Sequence, residues 1–185
     1  VDNRGVDSTM GVRLDLGKDI VEVNAFAGMA QMTGNAASGL GTSANDPYAT
    51  IVAAPQVTLT NVTAVANPAP GTSPSNVDFP LGFFRFDASG VAAGGATTVT
   101  VYAAAGTVVN TFFGYGSTPD NAAPHWYAFL FSGGTGAVVW ADRIELHLAD
   151  GQRGDGDPAA SRIAFGPGGA GLSSAPWTNP LSPFD

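Results

Sequence analysis

Asp150, Asp155 and Asp157 fall within the eight residues Asp-Gly-Gln-Arg-Gly-Asp-Gly-Asp, interleaved with three glycines. The stretch follows directly on the alternating segment Arg143-Ile-Glu-Leu-His-Leu148. Carboxylates on a glycine-permitted turn are the donors a hard cation takes, so the three aspartates are candidate ligands for Ca²⁺. Backbone carbonyls freed at Gly151, Gly154 and Gly156 would complete the roughly six to eight oxygens such an ion requires. The same residue types also make a turn whose aspartates cap backbone N–H groups, with Arg153 as a nearby counter-charge. Both readings stand on the sequence. An EF-hand does not, because its Asp-x-Asp-x-Asp-Gly spacing and terminal Glu are missing.

The remaining reactive side chains do not assemble a catalytic site. Asp120, in Thr118-Pro-Asp-Asn121, reads as a type I turn whose carboxylate caps rather than ligates. Asp142 beside Arg143 reads as surface. His147 should face solvent if Ile144, Leu146 and Leu148 face the core, and His125 should close a strand beside the core. No Gly-x-Ser-x-Gly elbow accompanies the serines, and both glutamates sit on simple alternating strands. Gly94-Gly95 and Gly114-Tyr-Gly116 have neither the lysine nor the helix of a phosphate loop. The expectation is a protein that is not an enzyme. Trp126, Tyr127, Trp140, Tyr102 and Tyr115 could offer flat rings to a glycan, or could equally fill a core.

The elements that must position these residues are short strands. The chain has 185 residues, 25 glycines and 13 prolines at 12% charge, which leaves little room for long helices. A hydrophobic content of 44% suffices for a real core. The net charge of −8 rests on 13 Asp and 2 Glu against 6 Arg and one Lys, which disfavours nucleic acid and anionic bilayers as partners. Cysteine is absent, so disulfides and thiolate metal sites are excluded. No run approaches the roughly 18 apolar residues of a membrane span. A start at Val1 is expected for a mature secreted form or a trimmed chain.

Alternation predicts strands over 10–16, 20–30, 48–54, 56–66, 81–87, 97–103, 107–113, 125–131, 137–140, 143–149 and 161–165. Ser132-Gly-Gly-Thr-Gly136 reads as a hairpin turn. The predicted fold is all-β: an antiparallel β-sandwich with long Gly/Pro-rich loops. Residues 33–47 read as a flexible linker, and 67–76 as a second loop. Residues 166–185 are rich in Gly, Pro and Ser, the composition of a loose tail, yet carry Leu172, Trp177, Leu181 and Phe184. Those four suggest docking on the domain itself or on a neighbouring copy.

From Tyr48 to Leu172 the chain resembles the bacterial choice-of-anchor U domain. The match is carried by Leu59-Thr-Asn-Val-Thr-Ala-Val65, Phe79-Pro-Leu-Gly-Phe-Phe84 and Gly94-Gly-Ala-Thr-Thr-Val-Thr-Val101. It continues through Tyr115-Gly-Ser-Thr-Pro-Asp-Asn121, Pro124-His-Trp-Tyr127, His147 to Asp157, and Gly166-Pro-Gly-Gly169. The resemblance implies a secreted, non-catalytic β-domain of the bacterial cell surface. Members carry a surface anchor after the domain. The tail 176–185 shows none, so the expectation is an anchor already removed or retention by assembly.

The expected organisation is a strand segment over 1–32, the linker 33–47, the sandwich 48–172 and a Pro-rich tail 173–185. A strand segment on a flexible linker is available for exchange between subunits, and completing a neighbour's sheet would build a homo-polymer. Val12, Leu14, Leu16, Val21 and Val23 are the candidate assembly positions. The expected function is a self-assembling, extracellular structural protein of the bacterial surface, stabilised by Ca²⁺. The alternative is a monomeric surface module that binds a cell-surface glycan through exposed aromatics.

Overall fold

A computed structural model of the chain describes residues 11–15, 20–24, 29–33, 48–103, 106–157 and 162–174. It is an all-β sandwich of two antiparallel sheets. The first sheet contains β1 (Gly11–Asp15), β2 (Ile20–Asn24), β3 (Met29–Thr33), β4 (Tyr48–Ala53), β8 (Ala96–Ala103), β11 (Gly136–Val139) and β12 (Ile144–Ala149). Its order is β1-β2-β3-β4-β8-β12-β11. The second sheet contains β5 (Thr58–Val65), β7 (Phe83–Ser89), β9 (Thr111–Thr118), β10 (Asn121–Ala128) and β13 (Ile163–Ser173), ordered β10-β9-β13-β7-β5. The two-residue β6 (Val77–Asp78) adds to the end of β13.

Period-two alternation sets the core. Val99 and Val101 of β8 and Ile144, Leu146 and Leu148 of β12 are almost fully buried. They face Phe84 and Phe86 of β7, Phe112 of β9, and Ile163 and Phe165 of β13. Phe84, Phe86, Phe112, Phe129 and Phe165 form a connected set of ring contacts with centroids 4.9–6.3 Å apart. Removing any one of these rings should cost about 3–5 kcal/mol.

The largest departure from the sequence reading is β13. Residues 166–172, expected in a loose tail, run on as a strand paired to β7 on one side and β9 on the other. A strand so poor in side chains persists because neighbouring rings supply the packing. A Cβ on Gly168 would lie 2.8 Å from Phe165 and 3.0 Å from Phe112, and one on Gly169 would lie 2.8 Å from Phe83. The glycines make room for phenylalanines. Ser173, assigned to the tail by the sequence, closes this strand.

Two other strands are displaced. The strand expected over 107–113 begins at Thr111, because Asn110 is occupied as a clamp. Its side-chain oxygen accepts the Ser173 N–H (2.8 Å) and its amide donates to the Ser173 carbonyl (3.0 Å). The strand expected over 125–131 ends at Ala128, where the chain crosses from one sheet to the other. There Phe129 N–H donates to Phe112, and the Phe129 carbonyl accepts from Ala137. The hairpin turn at 132–136 is as expected, with Gly133 and Gly134 both at positive φ (62° and 98°).

The segment read as 20–30 forms two strands rather than one. β1, β2 and β3 pair in succession and join β4 of their own chain. Val12 is register partner to Val23, and Leu14 to Val21. Leu16, residues 34–47 and the tail beyond Ser174 lie outside the described residues. At one edge of the second sheet, β5 carries a bulge at Asn61 (φ 52°), whose amide donates to Asp87 (2.6 Å). A bulged edge resists further strand pairing.

Candidate functional site

The loop 150–157 leaves the end of β12 through two tight turns. Gln152 N–H donates to the Ala149 carbonyl (3.1 Å) and Asp155 N–H to the Gln152 carbonyl (3.0 Å). Gly154 (φ 97°) has to be glycine twice over, since a Cβ there would also stand 2.6 Å from the Phe129 ring.

Asp155 organises the loop. It is 6% exposed, and its carboxylate accepts three backbone N–H groups. Gly151 donates to Oδ2 (2.9 Å), while Asp157 (3.0 Å) and Ala164 (3.0 Å) donate to Oδ1. One buried charge thus ties the turn to β13. Asp150 points elsewhere: its Oδ2 accepts the Gly94 N–H (2.7 Å), which joins the loop to the turn before β8. Its Oδ1 is buried without a hydrogen-bond partner among the described residues. Asp157 turns outward to Arg162 (3.1 Å).

Arg153 does not serve as the counter-charge expected of it. Its guanidinium donates to the carbonyls of Ala128 (3.2 Å), Leu130 (2.8 Å) and Thr135 (2.8 Å). It also lies 5.2 Å from the centre of the Phe129 ring. Burial holds its pKa below the ordinary arginine value, opposed by the charges of Tyr127 and Asp120. Five guanidinium donors in a fixed fork suit a cluster of three carbonyls, of which that of Thr135 also accepts the Ser132 N–H (2.9 Å). Arg153 therefore locks the crossing between the sheets.

Asp150, Asp155 and Asp157, read from the sequence as candidate ligands of one cation, do not converge in this geometry. The three carboxylates diverge toward Gly94, the loop interior and Arg162, and both oxygens of Asp155 already hold N–H donors. No group of three metal-ligating side chains occurs among the described residues. The residues present do not fit Ca²⁺; they fit the capped turn.

The other candidates scatter. Asp120 sits in the two-residue turn between β9 and β10. A hydrogen bond from Thr118 holds its carboxyl below the usual range, helped by its own backbone N–H. His125 Nδ1 lies 2.8 Å from the Ala123 carbonyl oxygen. His147 is half-buried rather than solvent-facing, with the Phe131 ring edge-on at 4.9 Å. Of the five rings considered for a glycan, Tyr102 alone is more than a third exposed, at 42%. Trp126 donates to the Ala69 carbonyl (3.2 Å) and packs on Phe79, Phe83 and Tyr115. Tyr127 packs edge-on to Phe129, and burial pushes its hydroxyl up to about 12. These rings are structural.

At the other end of the β8–β12 pair a groove of about 510 Å³ opens between Trp140–Ile144 and residues 106–109. Val101 and Ile144 lie beneath it, already buried in the core, and its rim includes Val108, which is 64% exposed. Arg143 lies 5.3 Å from the Trp140 ring and donates to Glu145 (2.8 Å), which holds the Glu145 carboxyl below the usual range. Nothing in the alternation pattern pointed to this groove, because 107–109 read as a strand. No protein family, curated protein or solved structure matches the chain. The resemblance to choice-of-anchor U domains therefore rests on its motifs alone. Among the described residues no helix is long and apolar enough to cross a membrane.

Proposed function

We propose that this chain is a non-catalytic structural domain of a secreted protein of the bacterial surface, which associates with copies of itself through its N-terminal strands. The observation that carries the reading is the shape of the first sheet. An apolar register row runs across it, from Val12 through Val23, Ala30, Ile51 and Val101 to Ile144. Ile51, Val101 and Ile144 belong to the core, so this is the core-side face. Of the three N-terminal strands, β3 packs on the second sheet, at β5, and neither β1 nor β2 makes comparable contact with it among the described residues. β1 and β2 extend the first sheet beyond the strand that meets the second one, and the register row they carry is apolar. A sheet extended in this way offers an edge for association.

A second copy suits this edge best. The pairing that β3 makes with β4 can equally form between chains, and a head-to-tail exchange propagates into a filament. The absence of a catalytic role is supported by the loop 150–157, where Asp150, Arg153 and Asp155 hold backbone partners and Asp157 pairs with Arg162. Calcium forms no part of the reading.

Light scattering and electron microscopy of the purified protein test it. Polymers should form, and deletion of residues 1–32 or the pair Val12→Asp with Val23→Asp should convert them to soluble monomers. A wild-type chain that stays monomeric at high concentration, or polymers that survive the deletion, would refute the reading.

A further inference from the structure

Strand β7 meets a bulge on each side at the same level. In β5, Asn61 and Val62 stand opposite Phe86 alone, because Thr60 pairs with Asp87 and Thr63 with Arg85. In β13, Gly166 and Pro167 stand opposite Arg85 alone, because Phe165 pairs with Phe86 and Gly168 with Phe84. Asn61 and Gly166 both take positive φ (52° and 102°). Bulges bend a sheet, re-aim its side chains and are over-represented beside binding sites. Phe84 and Phe86 are buried in the core, so Arg85 and Asp87 project from the outer face. There a hollow of about 440 Å³ is lined by Asn61, Thr63, Arg85, Asp87, Gly156 and Gly166. That volume falls inside the roughly 300–1,000 Å³ of ordinary small-ligand clefts. Gly166 keeps it open, since a Cβ there would stand 3.1 Å from that of Arg85.

The charges of the hollow are unevenly used. Arg143 pairs with Asp142 and Glu145, Arg153 holds three carbonyls, and Arg162 pairs with Asp157 and with Asp87 (3.6 Å). Arg85 is exposed and has no hydrogen-bond or ion-pair partner among the described residues. A planar guanidinium fork matches a carboxylate, which it takes through two parallel hydrogen bonds. Beside it, Asp87 receives both the Asn61 amide and Arg162 on Oδ2, so Oδ1 has no partner among the described residues. The Thr63 hydroxyl donates to the Asn61 carbonyl (3.1 Å) and keeps its own lone pairs as acceptors. A free cationic fork thus shares one hollow with acceptors suited to hydroxyl groups. Phosphate would bring a second negative charge against Asp87, whereas a singly charged polyol would not.

We propose that this hollow binds an acidic saccharide: Arg85 takes the sugar carboxylate, while Asp87 Oδ1 and the Thr63 hydroxyl accept hydrogen bonds from ring hydroxyls. The site is independent of the N-terminal association, which uses the other sheet, so either can fail without the other.

Saturation-transfer NMR observed on the sugar tests the site, and it works whether the full chain is monomeric or polymeric. Galacturonate should show saturable transfer with a dissociation constant on the order of 1 mM, as a few hydrogen bonds without an aromatic platform allow. Galactose, which lacks the carboxylate, should bind at least about tenfold more weakly, and so should the Arg85→Gln variant with galacturonate. Arg85→Gln keeps the fold, because the side chain is exposed and unpaired; an unchanged Tm checks this. Equimolar phosphate should leave galacturonate in place. Absence of saturable transfer overturns the proposal, as does equal binding of galactose or equal binding by Arg85→Gln. Displacement by equimolar phosphate overturns it as well, since the hollow would then be a bare anion site.

Discussion

The two ends of the β8–β12 pair solve opposite problems with the same two strands. At the Ala149 end stand three aspartates and an arginine, and their polar atoms hold the backbone: Asp155 takes three N–H groups and Arg153 donates to three carbonyls. At the Ile144 end stand valines, a tryptophan, a threonine and the ion pair of Asp142 with Arg143, whose charged atoms pair with side chains, and they leave a groove. The end rich in reactive residue types is the architectural one. The end whose charges pair with other side chains carries the accessible surface. Residue type alone misleads here, because a charged group buried on main-chain partners has no capacity left for a ligand.

The contrast breaks first at Asp155. Asp155→Ala would strand three N–H groups in a nearly closed loop, at about 3–5 kcal/mol in total, read from urea unfolding. A loss under about 1 kcal/mol would show that the loop does not hold the sandwich shut. Asp155→Asn keeps one acceptor oxygen and should recover part of the loss.

Tyr127 gives the next largest effect, seen in alkali. Burial lifts its hydroxyl to about 12, while the Arg153 charge pulls the other way. The unfolded chain ionises near 10, so the folded state holds the proton longer. The associated stability is complete below pH 10 and is lost as pH rises through 12, on the order of 2–3 kcal/mol. Tyr127→Phe should flatten that part of the stability curve. An equally steep decline in the variant would assign it to other groups.

Much of this was legible in the sequence where the cause is local. Ile144, Leu146 and Leu148 alternate and do face the core, and Gly133-Gly134 does turn the hairpin. The loop 150–157 was read as a turn or a cation site. Which of the two it is depends on partners the sequence does not place. Arg153 reaches carbonyls 18, 23 and 25 residues away. The β13 strand was hidden for a related reason: Gly168 and Gly169 bring no packing of their own and borrow it from Phe165, Phe112 and Phe83. Asn110 looked like any strand residue until Ser173 arrived opposite it. The alternation of 10–24 marked strands correctly, whereas their pairing with β4 of the same chain is a matter of topology.

Arg153 sharpens the comparison at smaller scale. Arg153→Lys retains the charge but cannot span three carbonyls with a single ammonium, and should cost about 1–2 kcal/mol. At the other end, Val108→Thr is expected to change stability by less than about 0.5 kcal/mol, because the side chain is already in water. Equal losses at the two positions would remove the distinction between a closed end and an open one.

The smallest expected effect is that of calcium. A resident ion bound at a hundred times its dissociation constant would add about 2.7 kcal/mol to stability, a clear rise in Tm. The loop offers too few oxygens for that. Those of Asp155 face N–H donors, Asp157 faces Arg162, and Asp150 contributes one unpartnered oxygen. Thermal melts in millimolar calcium and in EGTA should therefore coincide within about 1 °C, since a difference that small corresponds to no more than a few tenths of a kcal/mol. If calcium raises Tm by several degrees and Asp150→Ala abolishes the rise, the loop rearranges to take the ion. The closed end would then be a ligand site after all.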